Sequence, residues 1–414
     1  MDLRLQPRTA AGKRFVELAD THAAAAAVRS AEHDRDGTFP FEAFEAMKQS
    51  GFMTATVPEQ FGGLGLNSTH DLTAGLCRLA GGDGSIAIAA NMHLVFPLIM
   101  RWLQRFSKEG GDADMAEQLD GLLAVLGGGT IAMGNNTEPG TDLAHPLLEA
   151  TKADGGWTLN GRKIFGTLSP IADLFLVSCR TARDDGTYAS GNAFVVRGSQ
   201  GQEIRDNWDA LGMRASGSND VVYKDCFVPE SLFFTQGDDW GTDGPLTQVI
   251  ITAGNIGLLG AFCGIAEAAR EQVVEMVKTR TKAPSDRPIA ERHGIQHLVA
   301  EIDVDLATIR ALLERTSTVI DEVVRDGPTT EATLDLLHEV NHQFQCAKLV
   351  ANRKAIDIVD RALTLSGGFG YMTASPLGRL YRDVRAGPFM QPYSPNEAHE
   401  FIGRISLGLD PELS

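Results

Sequence analysis

Between Gly128 and about Phe234 the chain stops reading as helix, and that interruption limits its architecture more than any other feature. From Phe15 to about Leu126, apolar residues recur at helical spacing, with an alanine-rich run from Ala23 to Ala27. Breaks fall at Pro40, Pro58 and Gly62-Gly63-Leu64-Gly65. Within the interruption, β-branched runs such as Leu174-Phe175-Leu176-Val177 and Ala193-Phe194-Val195-Val196 alternate with Gly, Asp and Asn turns. After a Gly- and Asp-rich linker, Gly237 to Gly244, amphipathic helices are predicted over Thr247–Lys278, His293–Arg325 and Ala332–Leu365. The order predicts an α+β protein in three parts: helical over 1–127, β over 128–238, a helical bundle over 239–414. Helices of that length can bury a large face against another subunit, so a homodimer or homotetramer is expected.

At 414 residues the chain exceeds what one hydrophobic core serves, in keeping with several layers or domains. Its formal charge of −17 argues against nucleic acid or an anionic membrane as partner, since both attract positive patches. A small-molecule protein fits better. The start, Met1-Asp2-Leu3-Arg4-Leu5-Gln6-Pro7, has no apolar signal core, and no later segment reads as the roughly 20 apolar residues a membrane span needs. A cytoplasmic location is the expectation. Cys77, Cys179, Cys226, Cys263 and Cys346 are scattered without metal-ligand spacing, so buried thiols and no metal site are expected.

The recurring motifs are richer. Asp34-Arg35-Asp36-Gly37-Thr38-Phe39-Pro40 and Val57-Pro58-Glu59-Gln60-Phe61-Gly62-Gly63-Leu64-Gly65 lie in the first part. Ala132-Met133-Gly134-Asn135-Asn136-Thr137-Glu138-Pro139-Gly140-Thr141-Asp142, Asn160-Gly161-Arg162-Lys163-Ile164-Phe165-Gly166-Thr167 and Leu211-Gly212-Met213-Arg214-Ala215-Ser216-Gly217-Ser218-Asn219-Asp220 lie in the second. The third carries Ser366-Gly367-Gly368-Phe369-Gly370-Tyr371, then Pro376, Arg379 and Arg382-Asp383. In this order, and over nearly the whole length, these runs resemble the acyl-CoA dehydrogenase family and its flavin-dependent monooxygenase relatives.

That resemblance implies the family's fold: an N-terminal helical domain, a middle β-barrel-like domain and a C-terminal four-helix bundle. It implies FAD, or FMN in a monooxygenase. By position it assigns Thr137 and Thr141 to a loop touching flavin and substrate, although that loop is shorter here than in the family. It sets the ring of Phe165 beside the flavin and the Thr167 hydroxyl near N5, and it brings Ser216 to the substrate side. Backbone at Gly367 and Gly368 would approach the dinucleotide where a Cβ would forbid it. Arg280, Arg287 and Gln296 match the region reaching a neighbouring subunit's cofactor, and a solvated helix end accounts for each equally well. His93 is a candidate pocket residue or a satisfied core histidine.

Where the family places its catalytic Glu after Arg-Asp, this chain has none. Counting forward from Arg382 reaches Gln391; counting back from Asn396-Glu397 reaches Tyr393. A minority of the family carries the base about ten residues before a Gly-Ile-Ala run; Gly264-Ile265-Ala266 sets Gly254-Asn255 there. None of these is a base at neutral pH, and Glu397 matches the family's ribityl or adenine contact instead. Removing an α-proton beside a thioester needs such a base, commonly a factor of about 10²–10⁴.

Three readings stand. The first is an FAD-dependent oxidoreductase acting on an acyl-CoA-like or other apolar small molecule, with an electron-transfer flavoprotein as partner. The second is a two-component monooxygenase supplied by a flavin reductase, which has no use for the missing acid. The third is a silent subunit completing an active homologue.

Overall fold

The protein is described by a computed structural model over residues 2–242, 244–327, 333–390 and 392–411. Its chain begins with α1 (Ala10–Asp36), α2 (Phe41–Gln49), α3 (Thr69–Gly82), α4 (Gly84–Gly110) and α5 (Ala113–Gly127). Helix α1 starts at Ala10 rather than near Phe15 because the Thr9 hydroxyl accepts the Gly12 N–H at 2.9 Å and caps it. The carboxylate of Asp83 does the same for α4, taking the N–H groups of Ser85 (2.8 Å) and Ile86 (3.2 Å).

A mixed sheet follows: β1 (Ala132–Asn135), β2 (Glu149–Ala153), β3 (Gly156–Gly166), β4 (Leu174–Ala182), β5 (Tyr188–Val196), β6 (Gln202–Ile204), β7 (Asn219–Pro229) and β8 (Phe233–Asp239). The strands run in the order β6-β7-β3-β2-β4-β5-β8, with β1 parallel to β4. The expected linker from Gly237 is a correction: β8 continues to Asp239, pairing Asn192 with Phe234 and Ala189 with Asp239. An open backbone edge on β5 outweighs the poor strand propensity of Gly and Asp. One sheet face closes on its own core, including Phe175, Val177, Val195 and Tyr223, while Leu174 and Phe194 join the core of the helical parts.

The chain ends with α6 (Pro245–Thr252), α7 (Ile256–Thr279), a small hairpin of β9 (Thr281–Lys282) and β10 (Ser285–Pro288), α8 (His293–Ile320), α9 (Thr333–Ser366), α10 (Pro376–Val384) and α11 (Pro395–Ser406). Helix α7 packs between α3 and α9, and α8 lies along α9. The single helix expected over Thr247–Lys278 is broken at 253–255. A Cβ on Gly254 would lie 2.4 Å from Ile250 O. The Asn255 amide donates to Ile250 O (2.9 Å) and Ile251 O (3.1 Å), satisfying carbonyls at the end of α6. Helix α8 likewise ends in a π turn, Asp321–Arg325.

Against the sequence expectation, two stretches, Gly84–Gly110 and Pro245–Thr279, are long and apolar enough to cross a bilayer. Their apolar windows are 83% and 89% buried inside the protein, which makes them core helices here. The cysteines also meet where the sequence shows no pattern: Cys77 of α3 and Cys263 of α7 converge with Glu267 within 4.8 Å. The neighbouring Cys263 thiol and burial push Cys77 well up, and Glu267 is held by Arg310 at 2.7 Å. The Cys77 thiol stays protonated, and the trio forms a polar knot in the core.

One buried ion pair fixes the loop after β1. Lys163 of β3 lies 2.9 Å from Glu138 and donates to Ser178 Oγ (3.1 Å), while Glu138 also accepts the Leu147 N–H at 2.7 Å. Burial pushes the Lys163 ammonium below its ordinary range, so the pair survives on geometry. Replacing Lys163 with Met strands the Glu138 charge and is expected to destabilise the protein by about 3–5 kcal/mol, read by chemical denaturation. An unchanged midpoint would refute this role.

Candidate active site

A cavity of about 500 Å³ opens where the three parts meet. Helix α4 supplies an apolar wall through Met92, Val95, Phe96 and Ile99, spaced to share one helix face. Opposite stand Thr137, Phe165, Thr167 and Ser218 from the sheet and its loops. The break before α7 contributes Gly254 and Asn255, and the tail contributes Arg385, Phe389, Met390 and Pro392. No Asp, Glu, His or Lys lines the cavity among the described residues; its charged groups are Arg382 and Arg385.

Backbone strain collects on the sheet side. Phe165, Leu168 and Met213 hold positive φ of 52°, 76° and 52°, a region costly for residues with a Cβ. The Phe165 ring is 59% exposed and meets Trp208 edge to face with centroids 6.0 Å apart. Next to it, Thr167 Oγ1 lies 2.8 Å from Ser218 Oγ, which lies 2.6 Å from the fully buried Ser216 Oγ. The three hydroxyls form one hydrogen-bonded chain, Ser216–Ser218–Thr167, in which either member of each pair can donate. Thr167 Oγ1 also donates to Phe165 O at 3.4 Å, a long bond that a better-placed acceptor in the cavity can replace.

The sequence-derived candidates divide. Thr137, Phe165 and Thr167 are brought together on the cavity. Ser216 is not on its wall and acts only through Ser218. Thr141 is turned away, its hydroxyl donating to His145 O at 2.5 Å, because the shortened loop folds back on itself. His93 is a correction as well: it is fully buried on the far side of α4, its Nδ1 accepts the Ala132 N–H (3.1 Å), and burial brings it down to about 4, so it is a neutral core imidazole. Gln391 lies outside the described residues. Tyr393 packs its ring on Phe401, 5.4 Å between centroids, and its carbonyl accepts from the buried Lys348 ammonium (2.6 Å). Glu397 closes a capping box on α11, accepting the Ser394 N–H at 2.6 Å. Arg280, Gly367 and Gly368 gather elsewhere, at one end of the bundle, where Arg280 donates to Ser366 O (2.9 Å). Nearby, Gln296 donates to Ala290 O and Arg287 pairs with Glu291 on the surface.

What sequence reading missed is the work of Arg382 and Asp383. Arg382 Nη1 donates to Asp34 Oδ1 (2.8 Å) and to Leu211 O (3.1 Å), and Asp383 accepts the N–H of strained Met213 (2.7 Å). A Cβ on Gly212 would stand 2.3 Å from Arg382 O, so only glycine lets these segments touch. The signal was present as motif letters without partners. The guanidinium of Arg385, two residues on, has no hydrogen bond or ion pair among the described residues.

With that geometry in hand, the comparisons can be set beside it. The acyl-CoA dehydrogenase N-terminal, middle and C-terminal domain models match residues 11–109, 130–226 and 256–391. The chain therefore belongs to the acyl-CoA dehydrogenase family and is a flavin-dependent oxidoreductase of that kind. It is similar to L-evernosamine nitrososynthase of Micromonospora sp., 37% identical over 99% of this chain and 93% of that protein. It is also similar to amino sugar nitrososynthase DnmZ of Streptomyces peucetius, 32% identical over 97% and 95%. Among solved structures it resembles KijD3 in complex with FMN and dTDP-3-amino-2,3,6-trideoxy-4-keto-3-methyl-D-glucose, with a TM-score of 0.89 and 32% identity over 99% of this chain and 96% of that one. The cavity suits such a cofactor: the exposed Phe165 ring stands beside the Thr167 hydroxyl, matching a planar ring system with hydrogen-bonding edges.

Burial, with the Asp83 carboxylate adding to it, raises Asp383 to about 6. An unfolded Asp loses its proton near 3.9, so between about pH 4 and 6 the folded chain holds a proton the unfolded one has released. On this group's account stability falls as pH rises through that window. Asp383→Asn is expected to flatten this fall, checked by thermal midpoints from pH 4 to 7; an unaltered pH profile would contradict it.

Proposed function

We propose that this protein is a flavin-dependent monooxygenase that oxidises the amino nitrogen of a nucleotide-linked amino sugar. The observation that carries the reading is the absence of any carboxylate, imidazole or amine from the described cavity wall. A dehydrogenase must remove an α-proton, and none of the candidate base positions offers a group that can do so: 391 is Gln, 393 is Tyr and 254–255 is Gly-Asn. Oxidation at nitrogen makes the opposite demand. The nitrogen must keep its lone pair, so it must not be held as an ammonium by a neighbouring acid. The positive charges of Arg382 and Arg385 act in the favourable direction, depressing the pKa of a nearby amine.

A reduced flavin bound here would supply, with O2, one oxygen atom to the nitrogen, the second leaving as water. The chain's own residues do the rest. Phe165 would cover one part of the cofactor, Thr137 would meet its edge, and Thr167, hydrogen-bonded to Ser218 and through it to Ser216, would offer its hydroxyl to it. Met92, Val95 and Phe96 keep water from the reacting atoms. Arg385 is suited to a diphosphate, which guanidinium binds in a fork. At the bundle end, Gly367, Gly368, Arg280 and Gln296 are assigned to the distal half of a neighbouring copy's cofactor.

The test supplies reduced flavin, 18O2 and a nucleotide-linked sugar bearing a primary amine, and follows label in the product by mass spectrometry. Incorporation of one labelled oxygen at nitrogen is expected. Anaerobic bleaching of bound flavin by an acyl-CoA, with no labelled product from any amine, would instead establish a dehydrogenase. Arg385→Ala is expected to raise KM for the nucleotide sugar about 10–100-fold with little change in kcat, the size of a lost charged hydrogen bond. A fall in kcat alone would place Arg385 elsewhere in the cycle.

A further inference from the structure

Helix α4 has a second functional face. Leu98, Arg101, Trp102 and Arg105 follow helical spacing and line a separate pocket of about 210 Å³, which shares no residue with the larger cavity. Its far wall comes from Asn67, Thr69 and Ala253 and from the π turn of Asp321, Val324 and Arg325.

The hydrogen bonds around it are one-sided. Asp321, the pocket's acid, is already filled by Ser68 Oγ (2.6 Å), the Thr69 N–H (2.6 Å) and Thr69 Oγ1 (2.9 Å). Arg105 is spent on Val324 O (2.9 Å) and Arg325 O, and Arg325 on Asp326. Arg101 is different: its Nη1 is buried with no acceptor, and it has no ion pair among the described residues. Trp102 is only 4% exposed, and its indole Nε1 also lacks an acceptor. A guanidinium and an indole N–H left together without an acceptor are costly unless something supplies oxygen atoms. The guanidinium keeps its charge even where burial works against it.

We propose that this pocket binds a small oxyanion of the phosphate class, held by Arg101 and the Trp102 N–H. The volume is several times the roughly 30 Å³ share of a water and below the roughly 300 Å³ at which drug-sized sites begin, so it fits a phosphate-sized group rather than a whole cofactor. The anion can be free in solution or can be a phosphate carried by a larger ligand; the chemistry of recognition is the same.

The experiment is calorimetric titration of the purified full-length protein with sodium phosphate, chloride holding ionic strength constant. Saturable binding with one site per chain is expected. Arg101→Gln should weaken it at least tenfold and Trp102→Phe several-fold, while Arg35→Gln, at an exposed arginine paired with Asp36, leaves it unchanged. Thermal midpoints without phosphate show whether each variant is folded; if Arg101→Gln is not, Trp102→Phe, which keeps an aromatic ring, carries the test. A nucleoside diphosphate that displaces bound phosphate identifies the anion as part of a larger ligand, and independent binding identifies a free anion. No saturable heat above the chloride control, or equal affinity in the folded variants, overturns the site. The titration uses neither flavin nor oxygen, so its failure would leave the proposed oxidation untouched.

Discussion

Arg382 and Asp383 hold the three parts of the chain in one geometry. The guanidinium reaches back to Asp34 in the last turn of α1, and the carboxylate catches Met213 in the loop between β6 and β7. Both residues sit on α10, which the bundle fixes from below. Without this junction the cavity has no defined shape, because its walls come from elements far apart in sequence. Met213 is also one of the strained residues at the cavity, and strain of about 1–3 kcal/mol per residue persists only where surroundings over-determine the backbone. The Asp383 hydrogen bond is part of that over-determination. A motif in the tail that seems to belong to chemistry is therefore a clamp that makes the chemistry's container.

The container itself is defined by charge as much as by shape. Its hydroxyls are neutral, its walls apolar and its charged groups cationic. In a dehydrogenase the essential charge is a carboxylate aimed at a carbon acid. Here a positive rim faces hydroxyl donors, an arrangement hospitable to a phosphate at the edge and an uncharged nucleophile inside. On the proposed reading, the same fold would serve a different electronic demand with one charge absent and another, on Arg385, unpaired among the described residues.

The sequence was most informative where a motif's chemistry is local. The helical, β, helical order was legible because periodicity changes at Gly128 and again near Thr247. The trio of Thr137, Phe165 and Thr167 was legible through the family motifs that carry them, and all three line the cavity. What escaped depends on partners distant in sequence. Lys163 meets Glu138, and Cys77 meets Cys263, only once the fold exists. His93 lies one residue from Met92, yet a step of one residue on a helix turns the side chain by about 100°, away from the cavity and into the core. The break in the helix at 253–255 was invisible because Gly254 and Asn255 sit in a run that is apolar at helical spacing; the amide of Asn255 decides the outcome.

That break also bears on how this branch of the family can change. The position where some members keep their base is filled here by a glycine pressed against a carbonyl and an asparagine whose two bonds close α6. A carboxylate at 255 has no N–H to offer those carbonyls and would repel them, and any side chain at 254 meets backbone. Introducing a base at this point would unseat the helix that presents it. At 254–255 the local backbone itself thus resists a carboxylate, independently of what the rest of the cavity would do with one.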